Sequence, residues 1–188
     1  MSSPVSITMI TGGARSGKSN YAASLAERLA GSTPVLFVAT AEESDDEMRT
    51  RISRHRADRP AHWYTMEVPT HPARSIATAD PALSVVLLDC LTLLTSNIMM
   101  EMSEQTEDAV ETAINDELAE LITVCESQGR HLVVVTNEVG MGLHPMTPLG
   151  RLFQDVAGRA NQSMAARAQT VVFMVSGMPL ILKGGDNL

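Results

Sequence analysis

The sequence predicts an α/β fold: a three-layer sandwich with a mostly parallel sheet and a short antiparallel strand at its C-terminal edge. Two observations carry this prediction. A G-x-x-x-x-G-K-S motif occupies residues 12–19, and short β-rich runs alternate with helical patterns along the rest of the chain. With 188 residues and 44% apolar content, the chain is long enough for one full hydrophobic core and too short for two. We therefore expect one domain over residues 1–188.

The first strand leads directly into a phosphate-binding loop. An apolar run at Val5–Thr11 precedes the motif, and helix-forming residues at 20–30 follow it. Glycines let backbone N–H groups turn toward phosphate oxygens, while Lys18 contacts the β and γ phosphates and Ser19 binds Mg²⁺. The strand before and the helix after distinguish a phosphate loop from a chance glycine-rich turn. The chain is therefore predicted to bind a nucleoside triphosphate in a fold of the P-loop NTPase type.

Five further β-rich runs continue the alternation: Val35–Thr40, His62–Val68, Val85–Asp89, Leu132–Thr136 and Val171–Ser176. A turn at Gly177–Pro179 should return Leu180–Leu182 as the antiparallel edge strand. Parallel strands joined by right-handed crossovers place ligands at the carboxyl ends of the strands. Residues at those ends are therefore the candidates for function.

The clearest helix runs from Glu107 to Gln128. Its apolar stripe consists of Val110, Ile114, Leu118, Leu121 and Cys125. Acidic residues lie largely off that stripe and predict a solvated face: Glu107, Asp108, Glu111, Asp116, Glu117 and Glu120. The preceding segment, Met99–Glu107, is expected to be a mobile loop.

Charge and cysteine usage restrict the partners and the compartment. Fourteen basic residues stand against 22 acidic ones, a net charge of −8, which disfavours nucleic-acid or anionic-membrane surfaces because both need a basic face. Cys90 and Cys125 are isolated, the first residues show no signal sequence, and the uncharged run Cys90–Met100 has about half the length of a bilayer crossing. We expect a cytoplasmic protein with no nucleic-acid partner and no membrane insertion.

Two further segments fall at strand ends. Asp89 closes an apolar strand, the usual place for the acid that holds Mg²⁺ opposite the phosphate-loop serine, and this role is favoured over that of a plain strand-end acid. Residues 136–142 (TNEVGMG) follow another strand, and for them turn chemistry and ligand binding are equally open. The remaining histidines have no partner at metal-ligand spacing and are expected to be surface or turn residues: His62, His71, His131 and His144.

Residues 45–60 (DDEMRTRISRHRADRP) predict a helix that ends near Arg56. Acids at its start and bases at its end match the helix dipole, and Pro60 disfavours helix just before it. Arg51, His55 and Arg59 are spaced by four, so they share a face as far as the helix persists, and an imidazole flanked by guanidinium groups suits a phosphoryl group on nitrogen. Spacing alone favours the plainer interpretation, a surface helix whose histidine has no function.

Together these residues form an ordered series of motifs that resembles one family. The segments are Thr11–Ser19, Val38–Thr40, Asp45–Met48 with Arg51, Ile52 and His55, Arg59–Trp63, Leu87–Cys90, Val134–Gly142, Ala157–Arg159 and Asn161–Gln162. In this order they resemble the bifunctional adenosylcobinamide kinase/adenosylcobinamide-phosphate guanylyltransferase of cobalamin biosynthesis. The resemblance spans nearly the whole chain, and the series is far more specific than a phosphate loop alone.

The resemblance implies phosphorylation of the adenosylcobinamide hydroxyl by ATP or GTP, then transfer of GMP from GTP through a guanylylated histidine. That histidine matches His55, which reverses the plainer interpretation of the helix, and Arg54 stands where family members often carry a second histidine. The family's nucleotide contacts match Gly12, Gly13, Ala14, Arg15, Ser16, Gly17, Lys18, Ser19, Ala39, Thr40, Ala41, Arg56, Ala57, Asp58, Arg59, Glu67 and Asp89. The resemblance also implies a homotrimer with the corrinoid in a groove between subunits.

Two other functions compete with this one. A different P-loop small-molecule kinase would share the phosphate loop and Asp89 but would give the histidine helix no purpose. A regulatory GTPase is disfavoured, since the chain lacks D-x-x-G after Asp89 and N-K-x-D at residues 136–140. Covalent labelling of the protein by α-labelled GTP separates the family function from that of a plain kinase, and a regulatory GTPase would hydrolyse GTP without a corrinoid.

Overall fold

The computed structural model of the protein describes residues 5–42, 46–57 and 59–185, without the side chains of residues 47, 51, 54, 55 and 57. The strands of this part are β1 (Ile7–Gly12), β2 (Leu36–Ala39), β3 (Tyr64–Glu67), β4 (Val85–Asp89), β5 (His131–Val135), β6 (Thr170–Val175) and β7 (Met178–Lys183). The helices are α1 (Lys18–Ala30), α2 (Asp46–Ala57), α3 (Pro72–Ala77), α4 (Leu91–Glu101), α5 (Glu107–Ser127) and α6 (Pro148–Arg167).

The described strands form one sheet in the order β3-β2-β4-β5-β1-β6-β7. All neighbouring pairs are parallel except β6 and β7, which are antiparallel. The predicted sandwich with an antiparallel edge strand is therefore confirmed. The hairpin turn lies at Ser176 and Gly177, earlier than predicted; both have positive φ, 51° and 81°, as a tight two-residue hairpin turn requires.

Side-chain alternation divides the apolar residues between the two faces of the sheet. On one face, Ile10, Val133 and Val135 pack with the buried side of α1. On the other face, Met9, Leu132 and Val134 pack with residues of α3 to α6. The near-continuous apolar character of the central strands follows from burial on both faces.

Helix α5 has the predicted stripe, and all five apolar residues of that stripe are buried. Its bounds agree with the prediction to within one residue at the C-terminal end. The prediction of a solvated acidic face is wrong for Glu117, which is 4% exposed. Its carboxylate accepts a hydrogen bond from the Ala73 N–H at 2.9 Å and lies 3.1 Å from His71 Nδ1. The buried carboxylate therefore fixes α5 to the start of α3.

Helix α4 was not predicted as a helix. The apolar run that the sequence presents at 90–100 folds as this helix and lies within the core, with Leu91, Leu94 and Ile98 at most 1% exposed. Helix continues through Glu101, so the expected loop from Met99 is wrong in its first part and is confined to residues 102–106. Among the described residues, no helix has the length and apolar character that crossing a membrane requires.

Candidate active site

The phosphate loop connects the end of β1 to the start of α1 and lies against the β6–β7 hairpin. A Cβ on Gly12, where φ is 149°, would stand 2.5 Å from the Met174 carbonyl oxygen, and a Cβ on Gly17, where φ is 94°, would stand 3.2 Å from Gly177 Cα. The Gly177 N–H donates to the Ser16 carbonyl at 3.0 Å. The close approach of the two segments therefore requires glycine at both positions of the loop.

We expect Gly12→Ala to lower the free energy of unfolding by about 3 kcal/mol, because the new methyl group would displace backbone. Gly13→Ala is the matched control, since a Cβ there meets no atom within 4 Å. Denaturant unfolding of both variants without nucleotide is the measurement. Equal stability of the two variants would show that the β6–β7 hairpin shifts at little energetic cost to accommodate the new methyl group.

Lys18 is folded back over the loop. Its side chain is only 7% exposed, and its Nζ donates to the Gly13 carbonyl oxygen at 2.6 Å. Ser19 follows in the first turn of α1 and is half-buried. A buried ammonium beside the N-terminus of a helix creates a local positive potential where phosphate oxygens bind.

Asp89 lies at the carboxyl end of β4, on the sheet face that α1 covers. In β4, Val85 and Leu87 pack with α1 residues, so Asp89, two residues further, projects to the same face. The donor set of the Ser19 hydroxyl and this carboxylate fits Mg²⁺, which commonly takes one or two protein ligands and completes its shell with phosphates and water. A cluster of three or more His, Cys, Asp or Glu side chains able to hold a metal does not occur in the described residues, and Mg²⁺–nucleotide binding does not require one.

The end of β2 is tied to the end of β4 by Thr40. Its hydroxyl donates to the Cys90 carbonyl at 2.7 Å and accepts from the Cys90 N–H at 2.8 Å, while Asn97 Nδ2 donates to the Thr40 carbonyl at 2.8 Å. Any nucleotide contact at positions 39–41 would therefore come from backbone groups or alanine methyls. Burial, with a smaller contribution from Asp89, raises the pKa of the Cys90 thiol to about 11, so this thiol is protonated at neutral pH and is not a nucleophile.

Beside this edge, an open cleft of about 390 Å³ is lined by Arg56, Arg59, Pro60, Ala61, Trp63, Thr65 and Glu67. Arg56 and Glu67 form a bidentate pair across it, with Nε–Oε1 and Nη2–Oε2 distances of 2.7 Å. Arg59 Cζ lies 3.9 Å from the centroid of the Phe37 ring, and the Phe37 and Trp63 rings are stacked with centroids 6.2 Å apart. The cleft thus combines fixed charges with aromatic surface.

The cleft and the phosphate edge are electrostatically connected through Arg59. Partial burial lowers the pKa of its guanidinium, whereas the charges of Asp89 and Glu67 raise it and that of Arg56 lowers it. Two buried donors of the cleft, Arg59 Nε and Trp63 Nε1, have no hydrogen-bond partner among the described residues. Buried polar groups are nearly always satisfied, so these donors indicate space for a ligand with acceptor atoms.

Helix α2 is present as predicted and ends at Ala57. His55 lies in its last turn by backbone position, but its side chain falls outside the described part, as do those of Arg51 and Ala57 and the whole of Asp58. Arg59 follows the helix, so the shared helical face, predicted only as far as the helix persists, ends before it. The contact of Arg59 with Phe37 had no signal in the sequence: Phe37 is marked only by its place in an apolar strand, and Trp63, which stacks on Phe37, only by its place in a family segment.

Comparison with known proteins decides the family. A family model described as cobinamide kinase/cobinamide phosphate guanyltransferase matches residues 8–182. The chain belongs to this family. The bifunctional adenosylcobalamin biosynthesis protein CobU of Escherichia coli K12 is 42% identical over 181 residues, covering 93% of this chain and 98% of that protein. CobU of Salmonella typhimurium LT2 is 43% identical over 183 residues, with the same 93% and 98% coverage.

The bifunctional adenosylcobalamin biosynthesis protein CobP of Pseudomonas aeruginosa PAO1 is 42% identical over 178 residues, covering 94% of this chain and 96% of that protein. Among solved structures, flagellar accessory protein FlaH of Methanocaldococcus jannaschii has a TM-score of 0.53 and 15% identity over 97% of this chain and 80% of that chain. At that identity the likeness shows only that the fold is shared.

Proposed function

We propose that this protein phosphorylates the terminal hydroxyl of adenosylcobinamide with ATP or GTP. It then transfers GMP from GTP to that phosphate, giving adenosylcobinamide-GDP and pyrophosphate. The supporting observation is the adjacency of two sites: the phosphate loop and Asp89 form one, and the arginine and aromatic cleft beside Asp89 forms the other. Relatives named as bifunctional enzymes match more than nine tenths of the chain.

For the kinase step, the chain's own groups position and neutralise the triphosphate. The loop N–H groups and Lys18 hold the β and γ phosphates, which suits a reaction that depends mainly on placement and charge stabilisation. Mg²⁺ held by Ser19 and Asp89 would neutralise further phosphate charge. The proposed nucleotide-binding set is therefore residues 12–19 with 39–41, 56–59, Glu67 and Asp89.

For the transfer step, we assign the nucleophile to His55. Its neutral imidazole bonds to the α-phosphorus of GTP as the bond to the β-phosphate oxygen breaks, and pyrophosphate leaves with that electron pair. A phosphate oxygen of adenosylcobinamide phosphate then bonds to the same phosphorus, and the phosphorus–nitrogen bond breaks to return the histidine. Arg56 and Arg59, on the same edge, stabilise the charge that develops on the transferred group.

One incubation series tests the proposal. Purified protein with Mg²⁺ and adenosylcobinamide receives ATP, GTP or both, and the corrinoid products are analysed by mass. We expect the phosphate with ATP alone and the GDP derivative once GTP is present. Formation of adenosylcobinamide phosphate without any GDP derivative would instead support the alternative, a P-loop small-molecule kinase. Nucleotide hydrolysis without any corrinoid product would reject both the bifunctional enzyme and a kinase for this corrinoid.

We expect Arg59→Ala to reduce guanylyl transfer by about 10²-fold, because its guanidinium lies over Phe37 in the wall of the cleft that we propose for GMP. Phosphorylation with ATP should fall by less than about fivefold. Arg28→Ala, on the exposed side of α1, is the matched control and should change neither rate. Initial rates of the two steps, measured separately, are the readout; an equal loss in both would show that Arg59 has no role specific to guanylyl transfer.

We further propose a homotrimer in the cytoplasm. All residues of β7 are exposed, including Met178, Leu180 and Leu182, and assembly would bury such an apolar edge. Cys90 and Cys125 are free thiols, which suits a reducing compartment. Sedimentation equilibrium should give three times the 20.2 kDa of one chain; a monomer would reject the trimer.

A further inference from the structure

Asn137 lies between the phosphate loop and Asp89. Strand β5 separates β1 from β4, and the chain leaves β5 through residues 136–138 at the edge where both neighbours end. The Thr136 N–H donates to the Ile10 carbonyl at 3.0 Å, and the Glu138 N–H donates to the Gly12 carbonyl at 3.0 Å. The segment therefore continues the strand geometry along the first residue of the phosphate loop.

The alternation of side chains assigns Asn137 to the face that carries the phosphate loop. Val133 and Val135 pack with α1, whereas Thr136 faces the other way and donates to Asn161 Oδ1 of α6 at 2.7 Å. Asn137 therefore projects to the side of α1, as Asp89 does from β4. Its side chain is half-buried, and within the described residues its amide group makes no hydrogen bond.

The backbone of Asn137 is held on both sides by buried side chains. Its N–H donates to Thr92 Oγ1 at 2.6 Å, and its carbonyl accepts from Asn161 Nδ2 at 3.1 Å. Thr92 Oγ1 also lies 3.1 Å from Thr136 Oγ1. Thr92, Thr136 and Asn161 are each at most 8% exposed, so this polar network is rigid and satisfied.

A network that fixes one backbone unit and leaves its polar side chain without a partner indicates a positioned ligand contact. Glu138 does not fill that role equally well, because its Oε1 already accepts from the Gly140 N–H at 2.8 Å and its charge would repel phosphate. A neutral amide supplies a donor without that repulsion. The distance along the edge from the loop to Asn137 is a single strand spacing.

We propose that Asn137 is a catalytic residue of the kinase step, donating from Nδ2 to the γ-phosphate, and that Thr92, Thr136 and Asn161 are its positioning residues. The inference rests on the proposed function. The acceptor oxygen of the corrinoid arm bonds to the γ-phosphorus as the bond to the β–γ bridging oxygen breaks, and the electron pair leaves with the nucleoside diphosphate. The hydroxyl proton passes to solvent; Asn137 only stabilises charge.

Asn137→Ala in the full chain should lower kcat for adenosylcobinamide phosphorylation by about 10²-fold, with the KM for nucleotide changed by less than about threefold. Labelling by α-labelled GTP should stay at the wild-type level, because that reaction occurs at the α-phosphorus. Asn115→Ala is the matched control; this half-buried asparagine donates to the Glu111 carbonyl on α5, away from the site, and its loss should change neither reaction.

The positioning residues are tested by paired variants. Thr136→Val should lower the same kcat by about tenfold at unchanged KM, and Thr136→Ser should restore it. Asn161→Asp keeps an acceptor for Thr136 but removes the donor to Asn137, and should act like Thr136→Val; thermal unfolding identifies any variant that has lost its fold.

Kinase kcat within about twofold of wild type in Asn137→Ala overturns the inference, as does an equal loss of α-labelling in that variant. If the wild-type protein itself phosphorylates no corrinoid, the proposed function fails and the inference falls with it. The two failures are thus distinguished by the wild-type assay alone.

Discussion

Lys18→Ala is expected to abolish both phosphorylation of adenosylcobinamide and guanylyl transfer to its phosphate. The same phosphate cradle serves both steps in the proposed function, and Lys18 is its buried cation, held over the loop by its bond to the Gly13 carbonyl. Loss of this charge should lower each rate by at least about 10³-fold, the upper range for removal of one transition-state donor. Nucleotide affinity should fall as well, because the β and γ phosphates lose their nearest positive charge.

Initial rates of both steps, together with calorimetric titration of nucleotide, measure these effects. Lys183→Ala is the matched control: the chain's other lysine donates to the carbonyl groups of Ala165 and Ala166 at the outer edge of the sheet. It should leave both reactions unchanged. A Lys18→Ala protein that keeps more than half of its kinase rate would show that the two steps do not share this cradle.

His55→Ala is expected to form no covalent adduct with α-labelled GTP and to lose guanylyl transfer, while phosphorylation of adenosylcobinamide continues. The reason is chemical: the transfer step needs a nucleophilic imidazole at the α-phosphorus, whereas the kinase step occurs at the γ-phosphorus. The wild-type adduct should be labile in acid and stable in alkali, as expected of a phosphorus–nitrogen bond to imidazole.

Mass spectrometry of peptides from labelled protein locates the adduct, and His62→Ala provides the control. His62 is an exposed histidine seven positions further along the chain, with Nε2 3.7 Å from Glu27 Oε1. Its loss should leave the label in place. Label found on another residue, or undiminished transfer in His55→Ala, would return the α2 helix to the plainer interpretation of a charged surface helix.

The sheet was predictable because its signals are local. A strand, a phosphate loop and a helix follow one another within residues 5–30, and the stripe of α5 runs over about four turns, so neighbouring residues alone predict both. Helix α4 was not predicted because residues 91–100 carry no charge and mix Thr, Ser and Asn with Leu, Ile and Met, so its polar and apolar faces contrast only weakly. The burial of Glu117 was not predicted because the groups that contact its carboxylate, the Ala73 N–H and the His71 ring, lie more than 40 residues away in the sequence.

In the candidate site, too, the features with local sequence signals were predictable and those formed by distant segments were not. The phosphate loop and Asp89 follow from motif and strand end, and the structure brings them to one face of one edge. The placement of Arg59 over Phe37 was not predictable, because α2 ends before Arg59 and the contact crosses between separate segments of the chain. The hydrogen-bond network around Asn137 was also not predictable. It joins Thr92 of α4, Thr136 after β5 and Asn161 of α6, and no spacing within one segment of the chain indicates these contacts.

Trp63 is the chain's only tryptophan. It lies in the cleft wall with its ring stacked on Phe37, and its indole N–H has no hydrogen-bond partner in the part of the chain that the structure describes. Selective excitation of tryptophan, at wavelengths where the two tyrosines do not absorb, therefore gives emission from a single known position, in the cleft wall that Arg59 also lines. A nucleotide that enters the cleft changes the polarity and charge around that one ring. In the proposed function, the arrival of GTP and the departure of product would therefore be measurable in real time by intrinsic fluorescence, with no label attached to the protein or to the corrinoid.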